Sequence, residues 1–371
     1  MSASFHTITH AYASVLGIYD PSSVSDIVSH LNQYVPTDTY FSDMRTHLHI
    51  LHMDKDTGIF HTTRQYKQQP PQKAVHIGKG TYGTIYKLLE NDTILKEIRL
   101  DTREQVELET EVRELFLEIF VQTVLSLDRV CGKHICKVWS LFRSKDNSSL
   151  FVQMEYLPHL FRHFVETNAP VSLAKFVPFV HKLSYILNYF RETYSFYHRD
   201  LHIGNIMFSS DDTLKLIDFG MSCLTLEGVT YSLLEENIVT KPIAGTKLVP
   251  KIRSYTCFSY DLLIFFANFL TTAEIPNYCE HDVYTFVYSL HETKRGTNLY
   301  AYWESRLRKR SEKGPVFHEM YHWKIDRTWP SFLKSELLAT TDLLPAGIWN
   351  MCEKILSSTN RNGKDTQANY A

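Results

Sequence analysis

The sequence predicts an α+β fold, with a small sheet-bearing part followed by a larger helical part. Two observations carry this: strand-like segments cluster between Ala74 and Leu157, and helical patterning dominates after Pro158. A third sets the scale. The chain has 371 residues, 44% of them hydrophobic, which is enough to bury a full-sized core in one large domain or two lobes. With 13% aromatic residues and only 14 Gly and 13 Pro, most of the chain is excluded from disorder. The net charge of −2 leaves no electrostatic footprint for nucleic acid or an anionic membrane. No apolar run reaches membrane-spanning length; the longest, Leu262–Leu270, reads as a buried helix. The first residues, MSASFHTITH, lack the basic flank and apolar centre of a secretory signal. Cysteines 131, 136, 223, 257, 279 and 352 form no paired framework. Reduced thiols and an intracellular protein, cytoplasmic or nuclear, are therefore expected.

Residues 1–72 are mixed in pattern and read as an N-terminal extension of unassigned role, with Arg64–Lys73 (RQYKQQPPQK) as a polar linker. From Ala74 the pattern becomes strand-like: AVHI, a Gly-rich turn, TIYKLL, a turn at Asn91-Asp92, then TILKEI. Arg103–Leu127 is helical, because Val112, Leu115, Phe116, Ile119 and Phe120 recur on one stripe. ICKVWSLF and SLFVQMEYL are two further strands around the polar turn Ser144–Ser149. Beyond Pro158 only Asn205–Phe208 and Leu214–Ile217 read as strands. The polar tail 357–371 reads as loose.

Three segments carry chemistry. Gly78-Lys79-Gly80-Thr81-Tyr82-Gly83 is a G-x-G-x-x-G, a spacing that lets backbone N–H groups approach a polyphosphate. A dinucleotide fold needs a helix directly afterwards, whereas Thr84-Ile85-Tyr86 is β-branched and aromatic and predicts a strand. A strand–turn–strand of this kind resembles the nucleotide-covering hairpin of protein kinases, a resemblance that places Ile77 and Ile85 against the purine. Its bland alternative is a flexible hairpin without a ligand. His198-Arg199-Asp200-Leu201-His202-Ile203-Gly204-Asn205 matches H-R-D-L-x-x-x-N, and Asp218-Phe219-Gly220 follows. Singly, each of these strings is more often an ordinary turn.

Jointly, with Lys96, they resemble the eukaryotic-type protein kinase superfamily over roughly residues 74–356. The resemblance implies a bilobal domain over 73–356, with a small antiparallel-sheet N-lobe (73–156) and a larger helical C-lobe (157–356). It implies ATP and Mg2+ as cofactors and transfer of the γ-phosphoryl group to Ser or Thr of a protein substrate of unknown identity. Asp200 is then the group that steers the hydroxyl proton, with Arg199 beside it, while Asn205 and Asp218 are hard oxygen ligands for the metal. Lys96 contacts the phosphates and is oriented by a Glu on the next helix. Glu118, nearer the apolar stripe, is preferred over Glu114. Gly78–Gly83 and Thr84 cover the nucleotide. Backbone groups of Glu155 and Leu157 meet the adenine edge, and Met207 forms the floor.

This sequence departs from the family pattern in places. His202 stands where most Ser/Thr kinases have Lys, Ile94 stands where Ala is usual, and no Ala-Pro-Glu follows Gly220. These features resemble divergent kinases of large DNA viruses, acting in a host cell, or the haspin-like branch. Asp261 is the expected acid beneath the catalytic loop. Arg199 is placed to meet a phosphate somewhere in Met221–Ser259. Two other functions compete. One is a small-molecule kinase of the aminoglycoside- or choline-kinase kind, echoed by His202-Ile203-Gly204-Asn205; the other is a pseudokinase scaffold. Cys131-x-x-His134-x-Cys136 lacks a fourth metal ligand nearby, and the basic run Arg306, Arg308, Lys309, Arg310 reads as a solvated helix face, with docking of an acidic substrate or nuclear import as its alternatives.

Overall fold

The computed structural model describes residues 3–31, 40–64, 67–80, 83–100, 105–232, 261–271, 278–280, 283, 286–287 and 345–367. Thr81, Tyr82, Cys257 and the basic run at 306–310 lie outside them. The chain divides into two compact units. The first comprises Met1–Pro158, Thr193–Phe196 and Met207–Arg253; the second comprises His159–Glu192, Tyr197–Ile206 and Ser254–Ala371.

In the first unit, helices α1 (Phe5–Leu16), α2 (Pro21–His30) and α3 (Tyr40–Arg45) come first. Ser4 caps α1 through its hydroxyl, and α1 ends on Gly17 at φ +70°. That glycine is required twice over, because a Cβ there would also meet the His49 ring at 2.3 Å. Strands β1 (His49–Asp54), β2 (Ile59–Arg64), β3 (Lys67–Gln68), β4 (Gln72–Gly80), β5 (Gly83–Leu88) and β6 (Thr93–Arg99) follow. Then come helix α4 (Gln105–Ser126) and strands β7 (Val138–Ser144) and β8 (Ser149–Glu155).

These strands form one sheet of order β1-β7-β8-β6-β5-β4-β2-β3, and β1 also pairs with β2. All but β3 therefore close into a ring. The pairing of β1 with β7 is parallel, while every other pairing with a recorded register is antiparallel. Alternate residues of each strand point inward. Leu51, Phe60, Ala74, Tyr86, Leu88, Leu95, Phe142 and Phe151 form the resulting core. Glu97 is buried with them, and its carboxylate takes Lys55 Nζ at 2.7 Å, Tyr86 Oη at 3.2 Å and Ser149 Oγ at 3.2 Å.

The ring shows what the N-terminal extension, left without a role in the sequence reading, contributes to the sheet. Residues 1–72 supply three helices and two strands of closure to the same unit, and the stretch read as a linker holds β3 and the start of β4. The physical reason is edge satisfaction. An open sheet leaves a row of unpaired N–H and C=O groups, and the β1–β2 hairpin pairs both edges at once.

Helix α4 packs against the outside of this ring, and from Val112 onward it is buried nearly all round. Beyond it, β10 (Ile206–Phe208), β11 (Leu214–Leu216) and the hairpin β12 (Cys223–Leu226)–β13 (Val229–Ser232) follow in the chain. β9 (His159–Leu160) precedes the helices of the second unit: α5 (Phe161–Thr167), α6 (Leu173–Tyr194), α7 (Asp261–Thr271) and α8 (Pro345–Gln367). Phe161, Phe176, Phe179, Phe265 and Phe269 stack there as an aromatic core. α8 runs through 357–367, which reads as a loose tail in the sequence. Ile348, Met351, Cys352 and Ile355 anchor its start, and extending a helix already nucleated costs little.

If the ring is a packed core, Phe60→Ala lowers the unfolding free energy by about 3–5 kcal/mol. The expected readout is a lower denaturant midpoint at unchanged slope. A loss below about 1 kcal/mol would contradict closure around this ring.

Candidate functional site

Strand alternation sets the first side chain. Leu95 and Glu97 point into the ring, so Lys96 between them points out, opposite Val152 on β8. On that side α4 presents Glu118, and Lys96 Nζ lies 4.0 Å from Glu118 Oε1. Of the two acids weighed from sequence, Glu118 is the one that the structure brings to Lys96.

The segment after β11 adds a second carboxylate. A Cβ built on Gly220 would lie 3.6 Å from Asp218 Oδ1 and 3.7 Å from Glu118 Oε2, so the two acids flank this glycine. Burial holds the Glu118 carboxyl above its ordinary value. Lys96 opposes the shift, and Asp218 and Glu114 add to it. The corner thus holds more negative charge than its lysine balances, which is the electrostatic setting for a cation. Asp218 sits at φ +64°, a left-handed conformation that a non-glycine residue adopts only when its surroundings impose it. Phe219 fixes it from the far side, fully buried against Phe196.

The glycine segment closes over the same strands. β4 and β5 pair as far as Gly80 with Gly83. A Cβ on Gly83 would sit 2.0 Å from the Glu97 carbonyl oxygen, so β5 can start here only on glycine. Around Gly78 a Cβ would meet nothing within 4 Å, leaving open space at the backbone. Ile77 is 48% exposed, Lys79 is exposed, and Thr84 and Ile85 are partly exposed.

At the end of β8 the structure narrows which backbone group of Glu155 could meet a ligand. The Glu155 N–H donates to the Lys137 carbonyl at 2.9 Å, and the Tyr156 N–H donates to Asp92 at 3.0 Å. Glu155 can therefore offer a base edge its carbonyl, which receives a weak thiol contact from Cys136 at 3.8 Å. Its carboxylate is committed to Lys215 Nζ at 2.8 Å, a pairing that sequence reasoning missed. Leu157 is buried, and Met207 on β10 is partly exposed.

In the second unit the catalytic-type loop is built on α7. The Asp261 carboxylate accepts the backbone N–H groups of His198 at 3.0 Å and Arg199 at 2.7 Å. Burial pushes the Asp261 carboxyl up, against the pull of His198 and Arg199. Asn268 Oδ1 takes the Ile203 N–H at 3.1 Å, a second brace that the sequence did not reveal. Arg199 is held at φ +65°, the same left-handed strain as Asp218. Asn205 donates its amide to the Asp200 carbonyl at 2.8 Å, which directs its own amide oxygen elsewhere and leaves it as the group suited to a hard cation. His202 Nδ1 accepts from Gly204, and His202 Nε2 lies 3.9 Å from Asp200 Oδ2.

Cys131, His134 and Cys136 are structural. His134 Nδ1 bonds the Leu214 carbonyl at 2.8 Å, and burial pushes both thiols up to about 12, where they are poor metal ligands. The five cysteines among the described residues are all free thiols.

Comparison with known proteins agrees with this geometry. The protein kinase domain family matches residues 72–248. Cyclin-dependent kinase 1 of Encephalitozoon cuniculi is 28% identical over 159 residues, 40% of this chain and 49% of that one. The cyclin-dependent kinase 4 homolog of Caenorhabditis elegans is 28% identical over 160 residues, 39% of this chain and 36% of that one. The matched stretch thus spans about half the length of the first relative and less of the second. The match over residues 72–248, together with these relatives, supports a protein kinase domain of the eukaryotic type in that stretch.

Proposed function

We propose that the protein is an ATP- and Mg2+-dependent kinase that transfers the γ-phosphoryl group to Ser or Thr hydroxyls of protein substrates inside a cell. The observation that carries this reading is the Lys96–Glu118 pair at 4.0 Å with Asp218 alongside. Phosphoryl transfer passes through a loose transition state, so catalysis consists mainly of positioning and charge neutralisation. In this reading Lys96 holds the α- and β-phosphates, and Glu118 keeps its ammonium aimed. Backbone N–H groups of Gly78–Gly83 cover the phosphates, with Ile77, Ile85 and Met207 against the purine. Asp218 and Asn205 would hold Mg2+, which supplies charge neutralisation across the phosphates. Asp200 receives the acceptor proton while the acceptor oxygen bonds to the γ-phosphorus and the bond to ADP breaks. His202 near Asp200 takes the place of the family's usual lysine. The reading requires the sheet-bearing unit and the helical unit to serve one nucleotide, which is the bilobal arrangement of the family.

Asp200→Asn is expected to keep nucleotide affinity within about threefold and to lower kcat by about 10²–10⁴-fold. Labelling of a generic basic protein with γ-labelled ATP, followed by phosphoamino-acid analysis, gives phosphoserine and phosphothreonine. Undiminished turnover in Asp200→Asn would contradict the assigned role, and phosphotyrosine would contradict the acceptor class.

The raised Glu118 carboxyl sets a pH dependence. As pH falls, Glu118 takes up its proton earlier than an ordinary carboxylate does, and Lys96 loses its charged partner. The acid limb of kcat/KM in the free enzyme therefore lies above the ordinary carboxylate range. Glu118→Gln lowers activity and removes that limb; a limb with the same midpoint in this variant would assign it to another group.

A further inference from the structure

The role of residues 1–64 follows from what touches α4 on the face opposite Glu118. Four hydrogen bonds and two ring contacts run from the N-terminal segment to this one helix. Tyr12 Oη on α1 donates to the Phe116 carbonyl at 2.8 Å, in a fully buried setting. Arg113 Nη2 donates to the Leu31 carbonyl, just past α2, at 2.7 Å, also buried. The Glu109 carboxylate accepts the backbone N–H groups of Phe41 and Ser42 in the first turn of α3, the latter at 2.7 Å. Tyr12 packs edge-on against Phe120 at 5.2 Å, and Phe41 against Phe116 at 5.8 Å. Glu109, Arg113, Phe116 and Phe120 lie at spacings of three and four, so they share one face of α4. Glu118 is on the other side.

Phe120 carries the contact further. Its ring lies 4.7 Å from Tyr231 on β13, the hairpin that follows Asp218-Phe219-Gly220. Tyr12, Phe120 and Tyr231 are all buried. The N-terminal helices thus reach, through one ring, the segment that carries the second carboxylate of the site.

A clamp needs a fixed anchor, and the ring supplies one. The chain passes directly from α3 into β1, whose pairing with β7 and β2 is part of the closure. α4 is therefore held between two parts of the same folded unit. Burial keeps the Tyr12 hydroxyl well above its ordinary value, so it remains a donor at any working pH.

We propose that residues 1–64 are a built-in positioning device, in which Tyr12, Glu109 and Arg113 hold α4 so that Glu118 stays on Lys96. These three are positioning residues, since none touches the nucleotide. The inference rests on the kinase reading for its effect on rate, but the clamp itself is a statement about α4.

The test uses the full chain with Tyr12→Phe, which removes one hydroxyl, and Arg113→Lys, which keeps the charge but loses the planar fork. Each is made alone and in a Glu118→Gln background, and two quantities are read: transfer kinetics and amide hydrogen exchange across Glu109–Phe120. Each single variant is expected to lower kcat about three- to tenfold with faster exchange in α4. In the Glu118→Gln background the same change alters kcat by less than about twofold, because its effect passes through Glu118. Effects that multiply fully in the double variants would overturn the proposal, as would unchanged exchange in α4. A wild-type protein without Lys96-dependent transfer would overturn the kinase reading alone. The exchange measurement would then decide the clamp by itself, with faster exchange in the variants supporting it. Should either variant fail to fold, the other carries the same comparison.

Discussion

Two carboxylates and one ammonium share a largely dehydrated corner of this protein, and most of the surrounding architecture holds them there. Charges taken out of water are tolerated only with well-placed partners, and an excess of like charge is worse. Glu118, raised by burial and by Asp218, is held in an electrostatically unfavourable place. The closed ring, the N-terminal helices and Tyr231 all pack on α4, the helix that carries it. Strain at Asp218 and at Arg199 has the same character, because each left-handed residue sits where chemistry is proposed and is pinned by its neighbours.

Closure of the sheet has a second consequence. In an open sheet of this order the inner face would need another layer to cover it, and both edges would be exposed. Here the face opposite α4 is an aromatic and aliphatic interior with one ionised group, Glu97, which is satisfied by Lys55, Tyr86 and Ser149. Because Glu97 faces inward, its neighbour Lys96 must face outward. The inside of the ring and the site outside it are therefore fixed by the same two-residue period.

The parts of this arrangement that depend on local pattern were legible in the sequence. The strands bearing Gly78–Gly83 and Lys96, the helix bearing Glu118, and Asp261 beneath His198-Arg199 all follow from spacing and motif. What stayed hidden is long-range. HILHMD and IFHTTR alternate weakly, because histidines and threonines occupy positions that a strand shows clearly only when they are apolar. Nothing periodic announces that β1 will run parallel to β7. Glu109 and Arg113 look like solvated helix residues until a second surface is placed over them. The β12–β13 hairpin was also missed. Its turn, Glu227-Gly228, has positive φ at both residues, and Glu is an uncommon choice there, so the usual Asn-Gly or Asp-Gly signal is absent. That the Glu155 N–H is taken by the Lys137 carbonyl, which leaves the Glu155 carbonyl as its backbone group for a ligand, is a pairing that only the fold reveals.

The account stands or falls on whether the corner formed by Lys96, Glu118 and Asp218 is a phosphate and metal site. The most direct measurement is a crystal structure of the full chain with Mg2+ and a non-transferable ATP analogue. The account predicts Lys96 Nζ within hydrogen-bond reach of the α- or β-phosphate, Glu118 still beside it, and Asp218 on the metal. A nucleotide bound elsewhere, with this corner unchanged and empty of phosphate, would contradict it.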